Sequence, residues 1–316
     1  MAQVESGWVR FWNQGTWWKA LLLVAVYWVV YELLGRGIAA VFGDVIDEAN
    51  PLADAMSVLL GMALPIVLAG LLLFGFARSL GWTRELFGPQ PVRGRGWMWL
   101  AVALIIVPIL MRLIATNWSA YSVTLVLSIL LLGLCVGFTE ELATRGLVVT
   151  MIRRGGHSER LAFMLSSLFF ALLHVGNILS GQAPALVLVT VIYTFGFGAM
   201  MYLSMRVTGR LVWAMLLHAA TDPTTILATG GIDAHSHTEG AGGLIALAGL
   251  FNFLYILFGL IAVFIVREHS HRNRTDRSNI KPRSFHARSH GNRRGPAGPG
   301  VDHHEGDASP NTSARH

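Results

Sequence analysis

The residues of this 316-residue chain whose types and spacing could do chemistry fall in three short stretches. Glu140, Glu141 and Arg145 stand at the end of the apolar run VTLVLSILLLGLCVGF, His174 closes SSLFFALLH, and His218 and Asp222 lie four apart in LLHAATDP. A charged side chain near the centre of a bilayer costs roughly 2.5–3.5 kcal/mol on insertion scales, so ionisable groups in apolar segments tend to face a bundle interior and mark function. Glu141 and Arg145, four apart with the acid first, share a helix face and pair as a clamp. Glu140 is turned about 100° away from that pair and stays available. A carboxylate with two imidazoles in a membrane cavity suits an activated water, with Glu140 as general base and His174 and His218 as oxyanion stabilisers or acids. Asp222 is placed to orient the His218 imidazole and fix its tautomer. The same groups could instead hold a divalent ion such as zinc, with Glu140, His174 and His218 as ligands, and the sequence leaves both open. HExxH, the strongest zinc-hydrolase signal, is absent, and so is GxSxG. Without chemistry, the first stretch would be an interfacial Glu–Arg pair at a helix end.

Helices must position these groups. The chain is 53% hydrophobic and 13% charged, and its apolar runs of about 18 residues or more are long enough to cross hydrocarbon as helices. Backbone in lipid must satisfy its own hydrogen bonds, and runs of this length suit helices rather than the alternating strands of a barrel. The expected fold is all-α, a polytopic transmembrane bundle with spans near 18–42, 52–78, 97–116, 121–143, 160–176, 185–205, 210–226 and 243–266. Arginines flank alternate connections: Arg78, Arg84, Arg93 and Arg95, then Arg153, Arg154 and Arg160, then Arg206 and Arg210. The other connections carry Asp44, Asp47, Glu48, Asp233 and Glu239 but no Lys or Arg. The positive-inside rule then puts the arginine-rich side and both termini in the cytoplasm. Around a turn at His157, Glu140 and His174 are equally distant in sequence, which brings them to one depth across one cavity. RGLVVTMIRR reads as amphipathic and basic, so the helices of that hairpin would project beyond the membrane.

Three parts follow along the chain. Residues 1–17, with Trp8, Trp12 and Trp17, form an interfacial N-terminal segment expected to be retained as an anchor. Residues 18–266 form the transmembrane unit. Residues 267–316, filled with Arg, His, Gly and Pro, cannot bury enough surface to fold and read as a disordered basic cytoplasmic tail. That tail holds ten of the 24 Lys and Arg against five acids, so most of the net charge of +6 belongs to it, the membrane part is close to neutral and no nucleic-acid partner is expected. The bilayer is the expected partner of the basic charge. His235, His237, His303 and His304 read as solvated, and Cys135, the one cysteine, excludes an intramolecular disulfide. Glu32 and Arg36 are expected to pair structurally, and Arg112 to snorkel to an interface.

EELATR at 140–145, FALLH at 170–174 and HAATD at 218–222 resemble, in order and membrane placement, the EExxxR, FxxxH and HxxxN/D motifs of the CPBP family. These are the CAAX-protease and bacteriocin-processing membrane endopeptidases, also called Abi, which include the type II CAAX prenyl endopeptidases. The resemblance covers about residues 120–230. It implies a peptidase in which Glu140 and His174 activate the attacking water, His218 and the residue at 222 stabilise the oxyanion, and Glu141 and Arg145 complete the first motif. The eukaryotic prenyl proteases carry Asn where this chain has Asp222, and an ionised Asp is a poor oxyanion donor. The implied partner is a peptide or protein substrate arriving from the membrane or the cytoplasmic side. Arginine preferred over lysine, with much Ala and Gly, points to a GC-rich bacterial genome and hence a bacterial plasma membrane. The competing functions are a non-proteolytic scaffold or bacteriocin-immunity protein of the same family and, from another class, a proton-coupled transporter. Against transport, the two halves of the chain show no repeated broken-helix pattern.

Overall fold

The computed structural model describes residues 6–47, 49–230 and 242–266. The expectations for the tail 267–316, with His303 and His304, and for Glu48, Asp233, His235, His237 and Glu239 lie outside the described residues. Among the described residues the chain is helical with no strand, and eight helices are long and apolar enough to cross a membrane. The all-α, polytopic architecture is therefore as expected. In chain order the elements are a short α1 (Gly7–Asn13), α2 (Trp17–Phe42), α3 (Ala55–Ser79), a short α4 (Thr83–Phe87), α5 (Gly96–Ala115), α6 (Val123–Arg154), α7 (Glu159–Ile178), α8 (Pro184–Thr208), α9 (Leu211–Thr229) and α10 (Gly243–Ile265).

Local chemistry sets the ends of the helices that matter for the site. Ser122 and Ser158 cap α6 and α7, their hydroxyls accepting from the backbone N–H of Leu125 and Leu161. Pro184 opens α8, where a missing N–H costs nothing, and Gly209 ends it at φ 76°, a left-handed conformation that favours glycine.

The fourth span departs from its expected limits. α6 continues through 32 residues, about 48 Å at 1.5 Å per residue, and ends only at Arg154. Residues 141–152 are all buried and Arg153 and Arg154 partly so, so RGLVVTMIRR packs as core up to its last two arginines rather than as an amphipathic segment. The physical reason is enclosure, because α2, α3, α7, α8 and α9 all pack around this half of α6. Its other half lies backbone to backbone against α9. A Cβ added to Gly133 would meet the Ala219 carbonyl oxygen at 2.6 Å, and one on Gly137 would meet that of Met215 at 2.5 Å.

The arginines that signal topology also close the arginine-rich end. Arg153 grips Glu159 through Nε and Nη2 at 2.7 and 2.9 Å, and Arg206 Nη1 and the Tyr202 hydroxyl donate to the same carboxylate at 3.1 and 2.5 Å. Arg206 also donates to the carbonyls of Val92 and Arg93, tying the α4–α5 connection to α8. Two expectations fail here. Arg112 is buried at 4% exposure rather than snorkelling, in the helix on which α10 packs. Glu32 and Arg36 form no ion pair; the Glu32 carboxylate leans toward Gly176 at the end of α7, where an added Cβ would meet its Oε1 at 3.4 Å.

Candidate active site

α6 supplies Glu140, Glu141 and Arg145, α7 supplies His174, and α9 supplies His218 and Asp222. Just after Glu141, α6 widens into a π-helical turn over Leu142–Val148, a distortion frequent at functional sites. The expected clamp is present. Arg145 Nη1 lies 3.0 Å from Glu141 Oε1 with both side chains fully buried, and it also donates to Thr144 Oγ1 at 2.6 Å. The guanidinium stacks over the Phe170 ring at 4.4 Å from its centroid. Gly198 makes room for it, since a Cβ there would lie 2.7 Å from Arg145 Nη2. Glu141 Oε2 and Arg145 Nε and Nη2 are buried without hydrogen-bond partners.

His218 is positioned differently from the sequence expectation. Its Nδ1 lies 2.9 Å from Glu141 Oε1, while its Nε2 is 3.4 Å from Asp222 Oδ2 and 3.8 Å from Glu140 Oε2. Glu141, across the α6–α9 contact, is thus the closer orienting group, and Asp222 stands on the reactive side of the ring. A carboxylate beside Nδ1 keeps a proton there and leaves Nε2 to face Glu140 and Asp222. The glycine contact explains the geometry, because without a close α6–α9 approach Glu141 could not reach the ring. His174 follows the same logic with a different partner: its Nδ1 is 3.1 Å from the Phe170 carbonyl oxygen, which can only accept, so Nε2 is its free acceptor. Phe170, the first residue of the FxxxH motif, contacts both imidazoles edge-on, at 5.2 and 5.7 Å between ring centroids.

Glu140 remains outside the clamp. Its side chain is 17% exposed against 0% for Glu141, and it borders a cavity of about 800 Å3. Glu140, His174, His218 and Asp222 all line that cavity, Glu140 and His174 among them as the hairpin reading expected, whereas Glu141 and Arg145 do not line it. The cavity runs on to Leu52 in the α2–α3 connection and to Ser180 and Gln182 in the α7–α8 connection. No residue of 80–95, 155–158 or 209–210 lines it. It therefore reaches the arginine-poor α2–α3 and α7–α8 connections, while the packed half of α6 and the Glu159 cluster occupy the other end.

Sequence reasoning missed the wall opposite Glu140. Tyr27, Tyr31 and Arg36 of α2 line the cavity with it, and a signal was available, since Tyr27, Tyr31 and Gly35 repeat at helical spacing through an apolar span. Glu140, His174 and His218 were the candidate metal ligands. Among the described residues no group of three His, Cys, Asp and Glu side chains is set to hold an ion, while His218, with Nδ1 bonded to Glu141, keeps Nε2 free on the cavity side.

No curated protein and no solved structure matches the chain. The family described as type II CAAX prenyl endopeptidase Rce1-like does match, over residues 122–224. That stretch runs from the start of α6 into α9 and contains all three motifs, so the matched region and the region that builds the site coincide. The chain is an integral membrane protein whose site-building stretch is similar to the Rce1-like type II CAAX prenyl endopeptidases, in line with the resemblance of its motifs to the CPBP family.

Proposed function

We propose that this protein is an intramembrane endopeptidase, CAAX-protease-like, in which Glu140 activates the water that attacks the peptide carbonyl. The observation that supports this most is the division of labour between adjacent carboxylates: Glu141 is locked to Arg145 and His218, while Glu140 is left facing the cavity. Glu140, assisted by His174 Nε2, takes a proton from water, and the hydroxide adds to the carbonyl carbon. Asp222 and His218 Nε2 lie where charge would develop on the carbonyl oxygen, and a proton on either would stabilise it. Collapse of the tetrahedral adduct breaks the C–N bond as the proton held by Glu140 passes to the leaving nitrogen, giving a new carboxylate and a new amine.

The test is cleavage of a quenched prenylated CAAX peptide by purified protein in detergent. Wild type is expected to cleave, Glu140→Gln to lose cleavage while folding normally, and a metal chelator to leave the wild-type rate unchanged. Full activity in Glu140→Gln would remove the glutamate mechanism, and loss of activity with the chelator would replace it with a metal one. Substrate-driven pH changes in proteoliposomes, with no cleavage, would instead assign transport.

A further inference from the structure

The cavity side of the site is rich in hydrogen-bond acceptors and poor in donors. Ionised Glu140 and Asp222 only accept. His174 donates through Nδ1 to the Phe170 carbonyl and His218 through Nδ1 to Glu141, so the Nε2 of each imidazole is an acceptor too. A tetrahedral adduct carries its negative charge on an oxygen that needs donors. His218 and Asp222 can serve it only after gaining a proton. The hydroxyls of Thr194 and Thr225, which also line the cavity, already donate to carbonyls of their own helices.

Tyr27 of α2 differs from all of these. Its side chain is 6% exposed and lines the cavity within electrostatic reach of Glu140, and among the described residues its hydroxyl has no hydrogen-bond partner. Buried tyrosine hydroxyls usually find one, so what enters the cavity is the partner left to it. Packing holds the ring in place. It stacks on Tyr31, one turn further along α2, with centroids 6.5 Å apart and planes 28° from parallel. It belongs to the same core as Ala143 and Leu147, which follow Glu140 on α6. α2 itself packs against the widened turn of α6 at Leu142–Val148. A phenol also keeps its proton at neutral pH, where carboxylates and many imidazoles have lost theirs.

We infer that Tyr27 is a further catalytic residue, whose hydroxyl donates a hydrogen bond to the oxygen of the tetrahedral adduct from the α2 wall of the cavity. The proton stays on the phenol, so the bonds made and broken are those already given. This rests on the endopeptidase reading above and gives α2, which lies outside the matched stretch 122–224, a direct part in the chemistry.

The experiment compares full-length wild type, Tyr27→Phe and Tyr31→Phe in detergent. The probes are a quenched prenylated CAAX peptide and its phosphinic analogue, in which a tetrahedral anionic group replaces the scissile amide. Tyr27→Phe is expected to lower kcat about 10²-fold, as loss of one oxyanion donor does, and to weaken binding of the analogue by a similar factor. KM is expected to stay within about twofold, because the contact is made only in the transition state. The unfolding temperature is expected to stay at or above that of wild type, since the stack is kept and the hydroxyl removed had no partner. Tyr31→Phe, changed on the half-buried neighbour, is expected to stay within about threefold in kcat. Wild-type kcat in Tyr27→Phe overturns the inference and leaves the peptidase intact. A loss that falls equally on KM and on the analogue, or that Tyr31→Phe shares in full, overturns it too, since either marks a packing role for the α2 wall. A lowered unfolding temperature in Tyr27→Phe makes the hydroxyl structural and has the same effect. No cleavage by wild type removes the peptidase reading and this inference together.

Discussion

Glu159 and Glu141 are carboxylates with no exposed side-chain surface, each paired with an arginine, yet their surroundings differ. Both oxygens of Glu159 are satisfied, by Arg153 in bidentate fashion, by Arg206 and by the Tyr202 hydroxyl. Glu141 places Arg145 and His218 on one oxygen and leaves the other buried and unpartnered. A buried ion pair stabilises only when its remaining polar atoms are also satisfied, so the first cluster suits a fastening between α6, α7 and α8. The second is under-coordinated where it meets the cavity, with His218 Nε2, Asp222 and Glu140 near one another at distances too long for good hydrogen bonds. Saturated charge holds helices together, whereas unsaturated charge beside a cavity can exchange partners and protons.

Substitutions at four positions sharpen or break this contrast. The largest effect is expected from Glu140→Gln, which should lower cleavage of a prenylated CAAX peptide about 10³-fold, the range of a lost general base, with no change in thermal unfolding in detergent. A parallel fall in unfolding temperature would mean that Glu140 holds the fold instead. Glu159→Gln should do the reverse, destabilising the bundle by about 3 kcal/mol through two arginines left without a full counter-charge, while the rate per folded molecule is kept. A rate loss matching Glu140→Gln would erase the distinction between the regions. Asp222→Ala should cost about 10²-fold in kcat, as the loss of an oxyanion-side group does, and Asp222→Asn should retain activity. Equal loss in both would deny a donor role at this position. Tyr202→Phe should be smallest, about 1 kcal/mol of stability for one hydrogen bond removed while the arginines remain, measured by the same unfolding assay.

Much of this was legible in the chain itself. Long apolar runs bounded by arginines located the spans to within a few residues for seven of the eight, because hydropathy and length are local properties. Helical spacing found the Glu141–Arg145 clamp, and the symmetric hairpin about His157 placed Glu140 and His174 on one cavity. What escaped was set by contacts between distant segments. The orienting partner of His218 comes from α6, seventy-seven residues away, and depends on Gly133 and Gly137 letting α6 and α9 touch. The burial of 141–152 escaped for the same reason, since an enclosed helix can carry basic residues at its end and still be core. Arg112 and the Glu32–Arg36 spacing show the limit of arguments from one helix, because burial and pairing are decided by whichever element packs alongside.

The one-sided cavity has an electrical consequence. A polar crevice open to one bath fills with water and stays near that bath's potential, so a transmembrane voltage falls mainly across the closed half, where residues 141–152 and the Glu159 cluster are packed. A full potential is worth about 2.3 kcal/mol per elementary charge per 100 mV, concentrated here into a thinner insulating layer. Glu140, at the inner end of the crevice, then exchanges protons with the bath on the arginine-poor side, and the packed half serves as the dielectric that keeps the bilayer sealed beneath it.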